Sequence, residues 1–235
     1  MTGFVAGTLV HTKDGLRAIE SLQVGDWVLA KDESAQGDTA YKRVLKTLRF
    51  EDKEIWYLQF SWMRVGDKPE PEVSRSFLAC TRNHPLWMRG YDSRRELWNE
   101  DVMQQEAPRD VWMRADLLEP GMILELANGD LVEVTKSLYL AQSEQPNVGF
   151  IQGNGVVGGW QYELDGRLVE FGDPGPMTDM GAFPAMVDYT ALAGTGDEFE
   201  FPVYRTTVYN IEVEDFHTYY VGEMGVWVQS DVESQ

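Results

Sequence analysis

Residues 22–32 read LQVGDWVLAKD, with apolar and polar side chains alternating around a Gly25–Asp26 turn. Alternation of period two, bounded by Gly and Asp, marks a half-buried strand, because successive side chains point to opposite faces. The same pattern returns later in the chain. Setting Gly121 on Gly25 pairs Leu118 with Leu22, Ile123 with Trp27 and Leu124 with Val28. Further on, VTKSL (134–138) falls on VLKTL (44–48). Each copy is a turn, a strand led by Gly-Asp or Gly-Met, a hairpin, and a strand returning through Val-x-Lys. Two β units of this size, neither able to close a core alone, are expected to pack on one another.

Most of the remaining sequence carries the same signature. Residues 7–12, 40–50, 54–62, 122–140 and 207–228 are rich in β-branched and aromatic residues between turn signals. ANGD (127–130) between two alternating runs predicts a hairpin closed by a type I′ turn. Only 16–23 and 112–120 read as helical, one or two turns each, and both lead into a glycine. Residues 65–75 and 89–110 read as surface loops. Residues 141–203 differ, being dominated by Gly, Pro, Met and acidic residues, with Trp160, Phe171, Phe183 and Tyr189 as anchors. The expectation is one all-β domain over 1–235, with 141–203 an irregular insertion packed on the β core.

The chain has 235 residues, enough to bury a sizeable core. Its 39 acidic against 20 basic residues give a net charge of −19, which argues against nucleic acid or an anionic membrane as partner. No apolar run approaches the roughly 20 residues that span a bilayer, and the first residues lack the layout of a signal peptide. The opening and closing stretches have the look of a segment taken from a longer protein. One cysteine excludes an internal disulfide framework. Three scattered histidines at no ligand spacing give no metal site, and no cofactor is expected. The Gly-rich GNGVVGG (153–159) lacks the Lys-Ser/Thr that a phosphate loop needs.

That cysteine lies in ACTRNHPLW (79–87), four places before His84. In an extended strand Cys80 and His84 stand about 13 Å apart, at roughly 3.3 Å per residue, too far to share a proton. Asn83 and Pro85 argue against a helix that would bring them together. A Thr-x-x-His turn instead curls Thr81 and His84 toward one point, and Cys80 reads as a buried strand residue. The plain alternative makes Thr81 a turn cap and His84 a structural histidine. His11 reads as an ordinary strand-end residue.

Three stretches, GFVAGTLVHTKDGLRAIESLQVGDWVLA at the start, CTRNHPLW in the middle and VYNIEVEDFHTYYVGEMGVWVQ at the end, together resemble the Hint (hedgehog/intein) family, in its bacterial intein-like and polymorphic-toxin branch. The likeness covers about residues 3–48, 76–87, 111–138 and 204–230. It implies a β-rich horseshoe of duplicated halves with adjacent chain ends, which cuts or rearranges its own backbone. In such domains an opening Cys attacks the preceding carbonyl, a Thr-x-x-His motif polarises that peptide, and a closing His-Asn pair cyclises to free the downstream segment. By that likeness Thr81 and His84 hold the N-terminal junction. His217 matches a late histidine of the family, though a strand residue closing a turn is an equal reading. Asn210 stands where many inteins carry an Asp that assists proton movement. The partners implied are the chain's own flanking segments, including a C-terminal toxin domain in a bacterial secreted or cell-surface-delivered effector.

Both junctions depart from the family pattern. The opening Cys falls at Gly3, which has no side chain, and Thr2 is one residue out of register. The closing His-Asn falls at Gln229 and Ser230, so the imidazole and the cyclising amide are both missing. A shifted register makes Gln229 the cyclising residue and puts Val228 at the histidine place. Deliberate inactivation and natural degeneration fit these changes equally. Three functions stand side by side: a blocked self-processing domain, a scaffold that binds partners through its acidic insertion, and a thiol enzyme using Cys80.

Overall fold

The turns at Gly25 and Gly121 fold alike in the computed structural model, which describes residues 1–62, 75–91, 108–143, 145, 147–151, 167–171, 177–182 and 202–230. Their φ angles are 97° and 101°, values that favour glycine. The Gly25 N–H donates to the Val44 carbonyl at 2.8 Å and the Gly121 N–H to the Val134 carbonyl at 2.9 Å, the pairing the repeat alignment requires. One 3₁₀ turn precedes each glycine, Ile19–Ser21 in the first half and Ala115–Leu117 in the second. The helical stretches expected at 16–23 and 112–120 shrink to these single turns. Their first residues belong to the strands Gly15–Ala18 and Val111–Arg114, whose backbones are paired with Leu9–Thr12 and Pro85–Tyr91.

Thirteen strands join in one antiparallel sheet among the described residues. Its longest strand, Ala40–Trp62, binds the halves together. Its first part pairs with Trp27–Ala30 and Arg205–Val213, its second with Arg75–Thr81 and Leu131–Tyr139. The sequence suggested two strands here, 40–50 and 54–62. They run on as one because residues 51–53 form a bulge, with Asp52 at φ 54° and a register shift between Thr206 and Val208 opposite. The hairpin Thr218–Val221/Val226–Gln229 lies between the halves, with Val221 across from Val10 and Val228 across from Leu86.

The main core collects the inward positions of both halves, including Val28, Val44, Leu86, Leu124, Val134, Tyr219 and Val228. At residues 127–130 the hairpin forms, but its turn is not type I′. Gly129 alone takes positive φ, 80°, and the Asn128 Oδ1 accepts the Asp130 N–H at 3.0 Å, giving a three-residue loop.

Within 141–203 the strands Ala141–Gln142, Val148–Ile151, Arg167–Phe171 and Met177–Ala182 form a separate antiparallel sheet. Ile151, Val169 and Phe171 from it share a buried cluster with Val5, Ile55, Tyr57, Ala79 and Val208 of the main sheet. The suggested anchors Trp160, Phe183 and Tyr189, and most of the loops 65–75 and 89–110, lie outside the described residues.

The duplicated turns yield a paired stability prediction. A Cβ at Gly25 would meet nothing within 4 Å, so Gly25→Ala costs only backbone strain, about 1–3 kcal/mol. Gly121→Ala carries the same backbone strain at φ 101° but places its methyl at a buried position, so it should lose at least as much in urea denaturation.

Candidate functional site

The Thr81–His84 turn is the second-half counterpart of the turn Val5–Thr8. In one, His84 N–H donates to the Thr81 carbonyl at 3.0 Å, and in the other Thr8 N–H donates to the Val5 carbonyl at 3.3 Å. Each is held by the 3₁₀ turn of its own half, through Ala115 N–H to the His84 carbonyl and Ile19 N–H to the Thr8 carbonyl, both 2.8 Å. The second turn carries an extra anchor. The Asp116 carboxylate accepts from Arg82 Nε at 3.0 Å and Arg114 Nη2 at 2.7 Å. Burial pushes that carboxyl up, and the hydrogen bonds and charges of the two arginines more than reverse it.

The N-terminal strand Phe4–Val5 lies between Arg75–Thr81 and Arg205–Val213, with Phe4 opposite both Cys80 and Tyr209. This places the chain start against the Thr81 turn. Thr81 N–H donates to the Gly3 carbonyl at 2.9 Å, and the Gly3 N–H donates back to Thr81 Oγ1 at 3.2 Å. Asn210 Nδ2 donates to the Thr2 carbonyl and to Thr2 Oγ1, each at 3.1 Å. The Thr2–Gly3 peptide is therefore gripped at both ends, its nitrogen by Thr81 and its oxygen by Asn210.

His84 takes a different place from Thr81. Its imidazole is fully buried, with its ring centroid 4.2 Å from that of Phe4. Among the described residues neither ring nitrogen has a hydrogen-bond partner. Burial lowers its pKa to about 3, so the ring is neutral at ordinary pH.

Gly3 is closely packed. A Cβ there would lie 2.8 Å from the Tyr209 carbonyl oxygen and 2.9 Å from Val208 Cγ2. The position matched to the opening Cys is shaped for glycine.

The end of the strand Val226–Gln229 lies alongside. Val228 pairs with Leu86 in an antiparallel ladder, so continuing that register brings residue 230 across from residue 84. Ser230 N–H donates to the His217 carbonyl at 2.8 Å, and His217 sits at φ 52°. Ser230 Oγ and His217 Nδ1 are buried without a hydrogen-bond partner among the described residues. Gln229 Nε2 reaches Glu33 Oε2 at 3.4 Å. Gly3, Thr81, His84, Asn210, His217 and Ser230 thus gather around one seam, with Gln229 at its rim.

Cys80 is fully buried, and desolvation, aided by the Asp116 charge, pushes its thiol pKa far up, which leaves no thiolate. His11, in Leu9–Thr12, bonds through Nε2 to the Gly222 carbonyl at 2.9 Å, away from the seam. Sequence reasoning missed Tyr219, whose phenol donates to Asn210 Oδ1 at 2.7 Å. Nothing in the sequence singled it out, because Asn210 comes within its reach only in the folded sheet. Glu33 and the role of Thr2 had no signal, because their partners lie far along the chain.

The burial of this seam generates two predictions. Thr81→Ala leaves the Gly3 N–H unpaired and should cost about 1–3 kcal/mol in urea denaturation, whereas Thr81→Ser, which keeps the hydroxyl, should recover most of it. For His84 the unfolded chain binds a proton below about pH 6.5 that the folded chain refuses until about pH 3. Stability from this group is therefore flat above pH 6.5 and falls as pH drops toward 3, by up to about 1.4 kcal/mol per pH unit. His84→Gln should flatten that slope relative to the parent chain.

The comparisons with known proteins agree with this geometry. Residues 9–102 match the sequence model of the family described as Pretoxin HINT domain. A bacterial intein-like domain from Clostridium thermocellum superposes with a TM-score of 0.52 at 22% identity, over 98% of this chain and 99% of that one. A DnaB intein from Synechocystis sp. PCC 6803 gives a TM-score of 0.45 at 10% identity, over 99% of this chain and 100% of that one. No curated protein sequence matches this chain. The chain thus has the intein-like Hint fold, and residues 9–102 carry the sequence signature of the pretoxin Hint family.

Proposed function

We propose that this protein is a self-processing Hint domain that holds its own N-terminal junction peptide in a reactive grip but is blocked from cutting it. The observation that carries this reading is the Thr2–Gly3 peptide, bonded at its nitrogen by Thr81 Oγ1 and at its oxygen by Asn210 Nδ2. A peptide bond held so is prepared for attack at carbon, because a donor at the oxygen stabilises the charge that develops there. In the family's scheme Thr81 and His84 would weaken the junction amide, while His217 would serve the C-terminal side. The attack itself is missing, since Gly3 has no nucleophile and Gln229 and Ser230 supply neither imidazole nor cyclising amide. An active form would release the segment after residue 230, an effector domain in the pretoxin setting.

One observation favours a second reading, a Hint fold kept as a scaffold. The crowding of Gly3 by the Tyr209 carbonyl and Val208 means that a cysteine there displaces its surroundings. A scaffold would present the acidic region 141–203 to its partner.

Intact mass measurement on the chain with short flanking segments separates the readings. The unaltered sequence should stay whole with and without thiol. Gly3→Cys with Val208→Ala, Gln229→His and Ser230→Asn should release the N-terminal flank on adding thiol and the C-terminal flank without it. A folded quadruple variant that stays whole supports the scaffold. Cleavage of the unaltered chain overturns the assignment of the missing groups.

A further inference from the structure

We propose that Tyr219 is a positioning residue of the seam: its phenol gives a second hydrogen bond to the Asn210 oxygen that the Ile211 N–H has oriented, and so holds Asn210 as a dedicated donor to the Thr2 carbonyl. This rests on the reading of Thr2–Gly3 as the junction peptide.

An Asn side chain has an acceptor at one terminal atom and donors at the other, and a half-turn exchanges them. Here the choice is forced. One terminal atom lies 2.8 Å from the Ile211 N–H, which can only donate, so that atom is the oxygen. The Tyr219 hydroxyl lies 2.7 Å from the same oxygen and must therefore give it a proton. Two donors saturate one end of the amide and turn the NH₂ toward Thr2, where the carbonyl accepts.

The flipped amide would set NH₂ against the Ile211 N–H and oxygen against the Thr2 carbonyl. Asn210 is 1% and Tyr219 0% exposed, so bulk solvent does not relieve those clashes. The two hydrogen bonds that Oδ1 accepts also draw electron density from the amide and strengthen Nδ2–H as a donor. Thr81 and Asn210 thus act on opposite ends of one peptide. The donor at the oxygen is neutral and does not titrate, whereas a carboxyl at position 210 would donate only when protonated.

The test is nuclear magnetic resonance on the full, isotope-labelled chain. In the unaltered protein a scalar coupling across the hydrogen bond should link Asn210 Nδ2 to the Thr2 carbonyl carbon. Tyr219→Phe keeps the ring, which meets Phe4 edge-on at 6.3 Å, and removes only the hydroxyl. That variant should exchange its Asn210 side-chain protons roughly tenfold faster, the order expected for one lost hydrogen bond, and shift the Thr2 carbonyl resonance. The Gly3 amide signal, governed by Thr81, should stay in place. Absence of the coupling in the unaltered chain overturns the proposal, as do unmoved Asn210 and Thr2 signals in folded Tyr219→Phe. If Tyr219→Phe does not fold, the Tyr219 hydroxyl proton of the unaltered chain decides: slow exchange supports the proposal and free exchange overturns it. None of these readouts needs cleavage, so if they appear while the folded quadruple variant stays whole, the junction reading fails and the positioning role stands.

Discussion

Two hydrogen bonds between Gly3 and Thr81 tie the start of the chain to the turn on which the seam is built. They exist because the two halves are duplicates. Phe4 and Cys80 face each other across the sheet, each just before the turn of its own half, Val5–Thr8 or Thr81–His84. The N-terminal strand meets the Thr81 turn because its own half contains the counterpart of that turn. Internal symmetry, rather than a purpose-built loop, delivers one peptide to one hydroxyl. The hairpin Thr218–Val221/Val226–Gln229, wedged between the halves, then brings residue 230 to the same place.

Much of this was legible in the sequence because it depends on local chemistry. Gly25 and Gly121 announced themselves through the conformations their turns demand, and Val44 and Val134 fell into register with them. Thr81 and His84 were found through their spacing together with the resemblance of the three flanking stretches to the Hint family. Their partition of roles was not, since spacing does not say that Thr81 reaches the Gly3 amide while His84 lies against Phe4. Asn210 was noticed as a departure, but its bonds to Thr2 and Tyr219 join residues that only the folded sheet brings together. The helical stretches came out too long because strand pairing claimed residues that local pattern left free. The ANGD turn came out differently because the Asn128 side chain bonds Asp130 N–H and holds its own backbone out of the positive-φ region.

The seam pairs strong positioning with weak reactivity. A neutral, buried imidazole, a thiol with its pKa raised by burial and a non-titrating amide surround a peptide that no side chain at position 3 can attack. Steric closure reinforces the chemistry, since Tyr209 and Val208 fill the space a nucleophile at Gly3 would need. The grip on the peptide stabilises the fold by burying satisfied hydrogen bonds, and that contribution stands whether or not the bond is ever cut.

Amide hydrogen exchange at Gly3 in the intact chain tests this account most directly. Near the start of a chain an amide ordinarily exchanges at close to the free rate. If Thr81 holds it inside the sheet, Gly3 should exchange only with opening of the core, as slowly as Val10 and Val228. Exchange at the unprotected rate in an otherwise folded protein would mean that the junction is not gripped, and the account would fail.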